Sequence, residues 1–163
     1  LDPRNAQVWL DEIAGEFARL DPANAETYRG NARAARERIE GLIDEISGRL
    51  VPLKDREFIV FHGAYHYFEA RFGITAAASV ALSDAASPGP ARLERVRAVI
   101  RDRGARCVFV EPQFPADLAD TVAEGTGARV GVLDPLGAEL PLGPDLYGQL
   151  LRNIAASLED CLG

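Results

Sequence analysis

The sequence predicts an α/β protein: two N-terminal helices, one of them a long strut, followed by a four-stranded, mostly parallel sheet flanked by helices. Three observations carry that expectation. Apolar residues recur at helical spacing through the first fifty positions. From residue 57 onward, short apolar runs alternate with helix-length segments that end at glycine. Those runs do not alternate with polar residues, as expected of strands covered on both faces and joined by right-handed crossovers.

The first helix is expected within "DPRNAQVWLDEIAGEFARLDP". Asp2 is a natural N-cap, Pro3 fits the first helical position, and Val8, Trp9, Ile13, Phe17 and Leu20 recur at helical spacing. Asp21-Pro22 repeats the start signal. The second helix is expected from about Ala23 to Leu50, with Tyr28, Ala32, Ala35, Ile39, Leu42, Ile43 and Ile46 on one face. At 1.5 Å per residue it is about 40 Å long, the length of a strut. Glu37, Arg38 and Glu40 read as its solvated face, and Val51-Pro52 stops it.

Strands are then expected over Glu57–Phe61, Ile74–Leu82, Arg106–Val110 and Ala128–Leu133. Helices are expected over Ala64–Phe72, from Pro90 or Ala91 to Arg103, over Pro115–Gly125 and over Gly143–Leu162. Gly73 and Gly104 close the first two of these helices. The segment Ser83–Leu93, broken by Ser87-Pro88-Gly89-Pro90, reads as the one flexible linker. The division is therefore a helical region over 1–53 and an α/β lobe over 54–163.

Composition narrows the function. The chain has 163 residues, 47% of them apolar, enough to bury a core. Eighteen basic against twenty-five acidic side chains give a net charge of −7, which disfavours nucleic acid and anionic membrane surfaces. No apolar stretch is long enough to span a bilayer. The opening Leu1-Asp2-Pro3 shows no signal peptide and, lacking Met, reads as a cut end, so a mature or truncated piece is expected. Cys107 and Cys161 are too far apart for a CxxC redox or zinc-knuckle motif. Two buried thiols and a disulfide tying the last helix to the sheet are both open on residue grounds.

In parallel sheets ligands gather at the carboxyl ends of strands. The four exits carry His62-Gly63, Ser83-Asp84, Glu111-Pro112-Gln113-Phe114 and Asp134-Pro135-Leu136-Gly137. An exit aspartate is often only the cap of the next helix, which applies to Asp84 and Asp134 alike. Glu111 opens a Glu-Pro turn and reads first as a turn residue. The same carboxylates are also able to serve as acid–base groups or cation ligands. No dinucleotide fingerprint, Walker loop or nucleophile elbow is present.

Three motifs in order carry a family resemblance. "FIVFHGAYHYFEARFGI" resembles the F-V-F-H-D-A-Y-x-Y-F-x-x-x-[FY]-G-[LI] segment of zinc-specific solute-binding proteins of ABC transporters, in the family that also holds manganese binders. "CVFVEPQF" and "VGVLDPLG" resemble that family's C-V-F-x-E-P-Q-F and L-D-P-L-G segments. The opening 32 residues resemble the stretch after its H-x-W-L-D-P, so the likeness runs over essentially all of the chain.

The resemblance implies a bilobal metal-binding protein. Two α/β lobes are joined by a long helix with the metal between them, and this chain corresponds to the C-terminal lobe plus that helix. It implies zinc as the ion, an ABC permease and a missing N-terminal lobe as partners, and a periplasmic or extracytoplasmic, membrane-associated setting. It implies a transport receptor and not an enzyme. His62 stands at the zinc-ligating position, where manganese members carry a carboxylate; imidazole suits zinc. Asp134 stands at the family's aspartate beside the metal, as a weak ligand or one step removed from it. Gly63 departs from the family's usual Asp. His66 matches no ligand; one helical turn beyond His62, it reads chiefly as a surface residue and secondarily, with Glu111, as an auxiliary metal contact. The family's cysteines at both positions imply a Cys107–Cys161 disulfide. The fragment alone is expected to bind zinc weakly, and more weakly as the imidazole protonates. It is also expected to form a homodimer through the apolar side chains of its first helix, with zinc bridging at His62. The alternative is an α/β hydrolase-like or metal-dependent enzyme using His62 and Asp134.

Overall fold

The computed structural model describes residues 1–81, 88–114 and 117–163. The expected exit residues Ser83 and Asp84, the end of the second strand at Leu82, and the start of the third lobe helix at Pro115 lie outside them. The chain forms two compact units, Asp2–Gly48 and Arg49–Gly163.

The first unit is helical. Helix α1 spans Pro3–Leu20, capped by Asp2, whose side chain accepts from Arg4 N–H at 2.9 Å. A 3-10 turn over Pro22–Asn24 leads into α2, Ala25–Leu50. Asp21 holds the connection: its carboxylate accepts from the Asn24 amide at 2.7 Å and the Tyr28 hydroxyl at 2.8 Å. Those bonds hold the Asp21 carboxyl below its ordinary value.

The inward face of α1 is small and polar. Pro3, Gln7, Ala14 and Ala18 are its buried residues. Gln7 donates to the Arg36 carbonyl at 3.0 Å and to Glu40 at 3.1 Å, and the ion pairs Arg4–Glu40 and Asp11–Arg36 tie α1 to α2 on either side. Small residues allow the helices to approach closely. Trp9, Ile13 and Leu20 face the other way and are at least half exposed, while Phe17, 51% exposed, sets its ring 5.4 Å from that of Tyr28 on α2. On α2, Ala32, Ile39, Leu42, Ile43 and Ile46 are buried as their spacing predicted.

The second unit is the α/β lobe. Its elements are β1 (Phe58–Val60), α3 (His66–Phe72), β2 (Ala78–Ser79), α4 (Pro90–Arg103), β3 (Cys107–Val110), α5 (Asp117–Ala123), β4 (Arg129–Val132) and α6 (Leu146–Leu162). The strands form one sheet in the order β2-β1-β3-β4, and every pairing is parallel. The predicted α/β class and strand number hold. No described helix is long and apolar enough to cross a membrane.

One core cluster joins Ile59, Val108 and Val110 of the sheet to Val96 and Ile100 of α4 and Ala119 and Val122 of α5. Phe58 and Phe109, whose Cα neighbours point to the opposite face, meet edge to face at 5.9 Å. Gly131 exists for the same aromatic ring: a Cβ there would lie 2.7 Å from Phe109 and 3.6 Å from Cys161. Cys107 and Cys161 are joined as a disulfide, 54 residues apart in sequence, tying the start of β3 to the end of α6.

Two expectations need correction. The second strand, expected over Ile74–Leu82, is reduced to Ala78–Ser79. Ile74 N–H is spent on the Glu69 carbonyl at 3.2 Å, in the cap that follows left-handed Gly73. Beyond it the edge continues as single bonds, Ala77 N–H to Phe58 O at 2.8 Å and Ala81 N–H to Phe61 O at 2.8 Å. The second correction concerns coverage of the sheet. β4 is the other edge, and Val130 and Val132 stand 40% and 51% exposed. Its apolar run reflects β-branched propensity at an edge, and not burial on both faces.

Candidate metal centre

The sheet register builds the site. β1 and β3 pair in parallel with Phe58 opposite Cys107 and Ile59 opposite Val108. Carried on to the strand exits, the same register sets His62 opposite Glu111. The pairing of β3 with β4 sets Val110 opposite Val132, so Leu133 follows Glu111 in the same row. Leu133 N–H donates to the Val110 carbonyl at 2.8 Å and keeps that row in step.

His62 leaves β1 in extended conformation and starts a 3-10 turn over Gly63–Tyr65. Its ring is held edge-on by Phe114 at 5.8 Å, and Phe114 in turn stacks on Phe61 at 4.5 Å. His62 Nδ1 lies 2.6 Å from Glu111 Oε1. With the carboxylate ionised, Nδ1–H donates to it and Nε2 carries the free lone pair. The His62 side chain is 21% exposed while Glu111 is 2% exposed, so the imidazole looks outward from a buried anchor. Burial pushes the Glu111 carboxyl above its ordinary value, against the opposing pull of His62 and Tyr65.

Tyr65 is buried beneath the same row. Its hydroxyl donates to the Leu133 carbonyl at 3.0 Å. Burial, reinforced by the charges of Glu111 and Asp134, pushes the tyrosine far above its ordinary value, so the hydroxyl keeps its proton at any working pH.

Asp134 is occupied by its own loop. Oδ1 accepts from Leu136 N–H and Gly137 N–H, both at 2.9 Å, and Oδ2 from Ala138 N–H at 2.7 Å. The Gln113 amide adds a fourth contact at 3.4 Å. Burial opposes ionisation of Asp134, but these donors together outweigh it and hold the carboxyl below its ordinary value. Gly137 closes the loop at φ +69°, a conformation that side chains rarely adopt, against Leu140 and Leu150. The L-D-P-L-G run is thus a turn wound round its aspartate.

His66 opens α3 and is exposed, its ring 6.1 Å from that of Tyr67. Among the described residues, no group of three or more His, Cys, Asp or Glu side chains gathers to hold a metal ion. The chemistry on offer is one oriented, neutral-capable imidazole backed by a buried carboxylate. Zinc-ligating histidines have this arrangement, because the carboxylate fixes the tautomer and raises the basicity of the other nitrogen. The donor fits zinc in kind, but one imidazole is short of the three or four ligands a zinc site uses. Sequence alone placed His62 and Glu111 at neighbouring exits but did not pair them, since the register between β1 and β3 is a tertiary fact. Tyr65 was not singled out at all; its place three residues after His62 in the resembling segment was the available signal.

This arrangement sits on a chain that belongs to the family described as zinc-uptake complex component A, periplasmic, whose profile matches residues 1–161. A high-affinity zinc uptake system protein ZnuA of Brucella abortus is 51% identical over 162 residues, covering 99% of this chain and 48% of that protein. The ZnuA of Paracoccus denitrificans is 42% identical, covering 100% of this chain and 50% of that protein. A crystal structure of ZnuA superposes with a TM-score of 0.87 at 28% identity, over all of this chain and 60% of that one. The chain spans about half the length of the curated relatives it matches.

Proposed function

We propose that this chain contributes one side of a zinc-capture site in a periplasmic receptor that delivers zinc to an ABC permease. The observation that carries the reading is His62, with Nδ1 held by buried Glu111 and the side chain still 21% exposed at the strand exits. The names of the Brucella and Paracoccus relatives, both high-affinity zinc uptake proteins, support zinc over manganese or nickel. The remaining ligands come from the other half of the polypeptide that the relatives carry, and that N-terminal lobe is the main partner. Asp134 acts beside the metal through its loop, as a weak ligand or a support for one. His66 stays peripheral. The division of labour assigns the helical region, residues 1–53, to connecting the lobes and residues 54–163 to the metal. The role is reception and transfer, not catalysis.

Calorimetric zinc titration tests this. The chain alone is expected to bind one zinc per chain in the micromolar range or weaker, because it brings too few ligands. His62→Ala should abolish that binding. Nanomolar binding by the monomeric chain, unchanged in His62→Ala, would remove His62 from the site.

A further inference from the structure

We propose that the cleft at the amino ends of β3 and β4 binds a phosphate monoester group. It lies at the end of the sheet away from His62 and Asp134.

The cleft has a volume of about 440 Å³, within the range of small-molecule sites. Arg101 in the last turn of α4, Arg106 just before β3 and Arg129 at the start of β4 line it. Among the described residues no carboxylate does, in a chain whose net charge is −7. Ile100 and Ala105, both buried, give it an apolar floor. Gly104 and Gly127 bound it without side chains, at φ +67° and +80°, and a Cβ on either would meet nothing within 4 Å.

Basic side chains near helix ends often serve the terminal carbonyls. Here other groups do so. Gly104 N–H and Ala105 N–H both donate to the Ile100 carbonyl at the end of α4. Beyond α5, Arg97 donates to the Thr121 and Glu124 carbonyls, and Thr126 donates to the Ala123 carbonyl through both its N–H and its hydroxyl. Arg101 pairs with exposed Glu94 at 3.2 Å. Arg129 donates to the Cys161 carbonyl, which occupies one nitrogen and leaves its charge unbalanced. The Arg106 guanidinium has neither a hydrogen bond nor an ion pair among the described residues. The two residues stand on neighbouring strands, joined by the bond from Arg129 N–H to the Arg106 carbonyl at 2.8 Å. Two uncompensated guanidinium groups match one dianion. A phosphate monoester carries nearly two negative charges at pH 7 and presents the oxygens that guanidinium forks bind in pairs. The cleft is larger than a bare phosphate, which leaves room for an organic body over Ile100 and Ala105.

Titration of the metal-free chain with glycerol phosphate, followed by ¹H–¹⁵N spectra, tests this. The amides of Gly104, Arg106 and Gly127 should shift saturably. Arg106→Gln and Arg129→Gln should each weaken binding roughly tenfold or more, as loss of a charged donor does. Arg38→Gln removes the same charge from the exposed face of α2 and should change nothing. His62→Ala should also leave binding intact, which separates this site from the zinc reading. Vesicles containing phosphatidic acid distinguish a free ester from a lipid headgroup. Sedimentation with them through Arg106, without a response to glycerol phosphate, sustains the site and puts its phosphate on a lipid. No saturable shift, together with no Arg106-dependent vesicle binding, overturns the proposal. So does an affinity unchanged in Arg106→Gln, or one weakened equally in Arg38→Gln.

Discussion

At the residue scale the chemistry reduces to how one imidazole is held. A histidine at the end of a strand is unremarkable until its second nitrogen has a fixed partner. Glu111 supplies that partner from a position 2% exposed, where the charged form is penalised by burial. Replacing it by glutamine removes the charge and keeps the volume, so the cost of burial falls while the hold on Nδ1–H loosens. Glu111→Gln is therefore expected to weaken zinc binding about tenfold, within the range for partners one step from a metal, with melting temperature unchanged or slightly raised. Competition with a chelating dye reads the affinity, and a thermal melt reads the stability. Equal affinity in the two proteins would show that the carboxylate plays no part in presenting the imidazole. The sequence displayed both residues but not their pairing, because a Glu-Pro pair after a strand is also an ordinary turn. Asp134 was legible by position and motif; that three backbone N–H groups consume its oxygens was not, since the winding of the loop depends on Gly137 and the packing beneath it.

At the element scale the helices were legible, and so was the buried face of α2, but not that of α1. Asp2-Pro3, Gly73 and Gly104 mark the ends of α1, α3 and α4 where they were expected, because caps are written in the local sequence. The inward face of α1 is another matter: its apolar residues Trp9, Ile13, Phe17 and Leu20 recur at helical spacing, yet Gln7, Ala14 and Ala18 are the residues buried. Which face a helix buries depends on what is beside it. The connection between α1 and α2 carries a pH signature. Asp21 has a lowered carboxyl pKa because the Asn24 amide and Tyr28 hydroxyl bond its charged form. Its contribution is present above the ordinary carboxylate range and is lost as pH falls through the lower, folded value. Helical melts at pH 6 and pH 3 should therefore separate more in the wild-type chain than in Asp21→Asn; identical pH dependence would rule the contribution out. The disulfide acts on a larger loop. Closing 54 residues removes chain entropy worth about 4 kcal/mol in the unfolded state, so reduction should lower the lobe's unfolding free energy by about that much. Denaturant titration with and without reductant measures it, and equal midpoints would show that the sheet and α6 hold together without the bond.

At the scale of the whole molecule the question is what covers α1. Trp9, Ile13, Phe17 and Leu20 fall within a narrow arc at 100° per residue, and all are at least half exposed, Trp9 at 68%. Val8 lies away from that arc and is exposed as well. The stripe leaves about 500 Å² of apolar surface on one helix face, at the upper end of what monomers tolerate. In the chain as it stands, the stripe is free to meet its own copy across a two-fold axis, with helix against helix. Two such faces remove about 1,000 Å² together, the lower bound of a specific interface. The expected result is a weak dimer, half-formed at tens of micromolar protein in sedimentation equilibrium. Trp9→Glu places a charge in the centre of the contact and should return the chain to monomer without altering its melt, since Trp9 supports no core. Zinc is a second, separable influence: a metal on His62 keeps open positions that a neighbouring molecule's donors are able to fill, so added zinc should tighten association in Trp9→Glu less than in wild type only if both contacts share one geometry. A chain that sediments as a monomer at high concentration, with and without zinc, would mean that the stripe stays wet and that the helix waits for a partner of different shape.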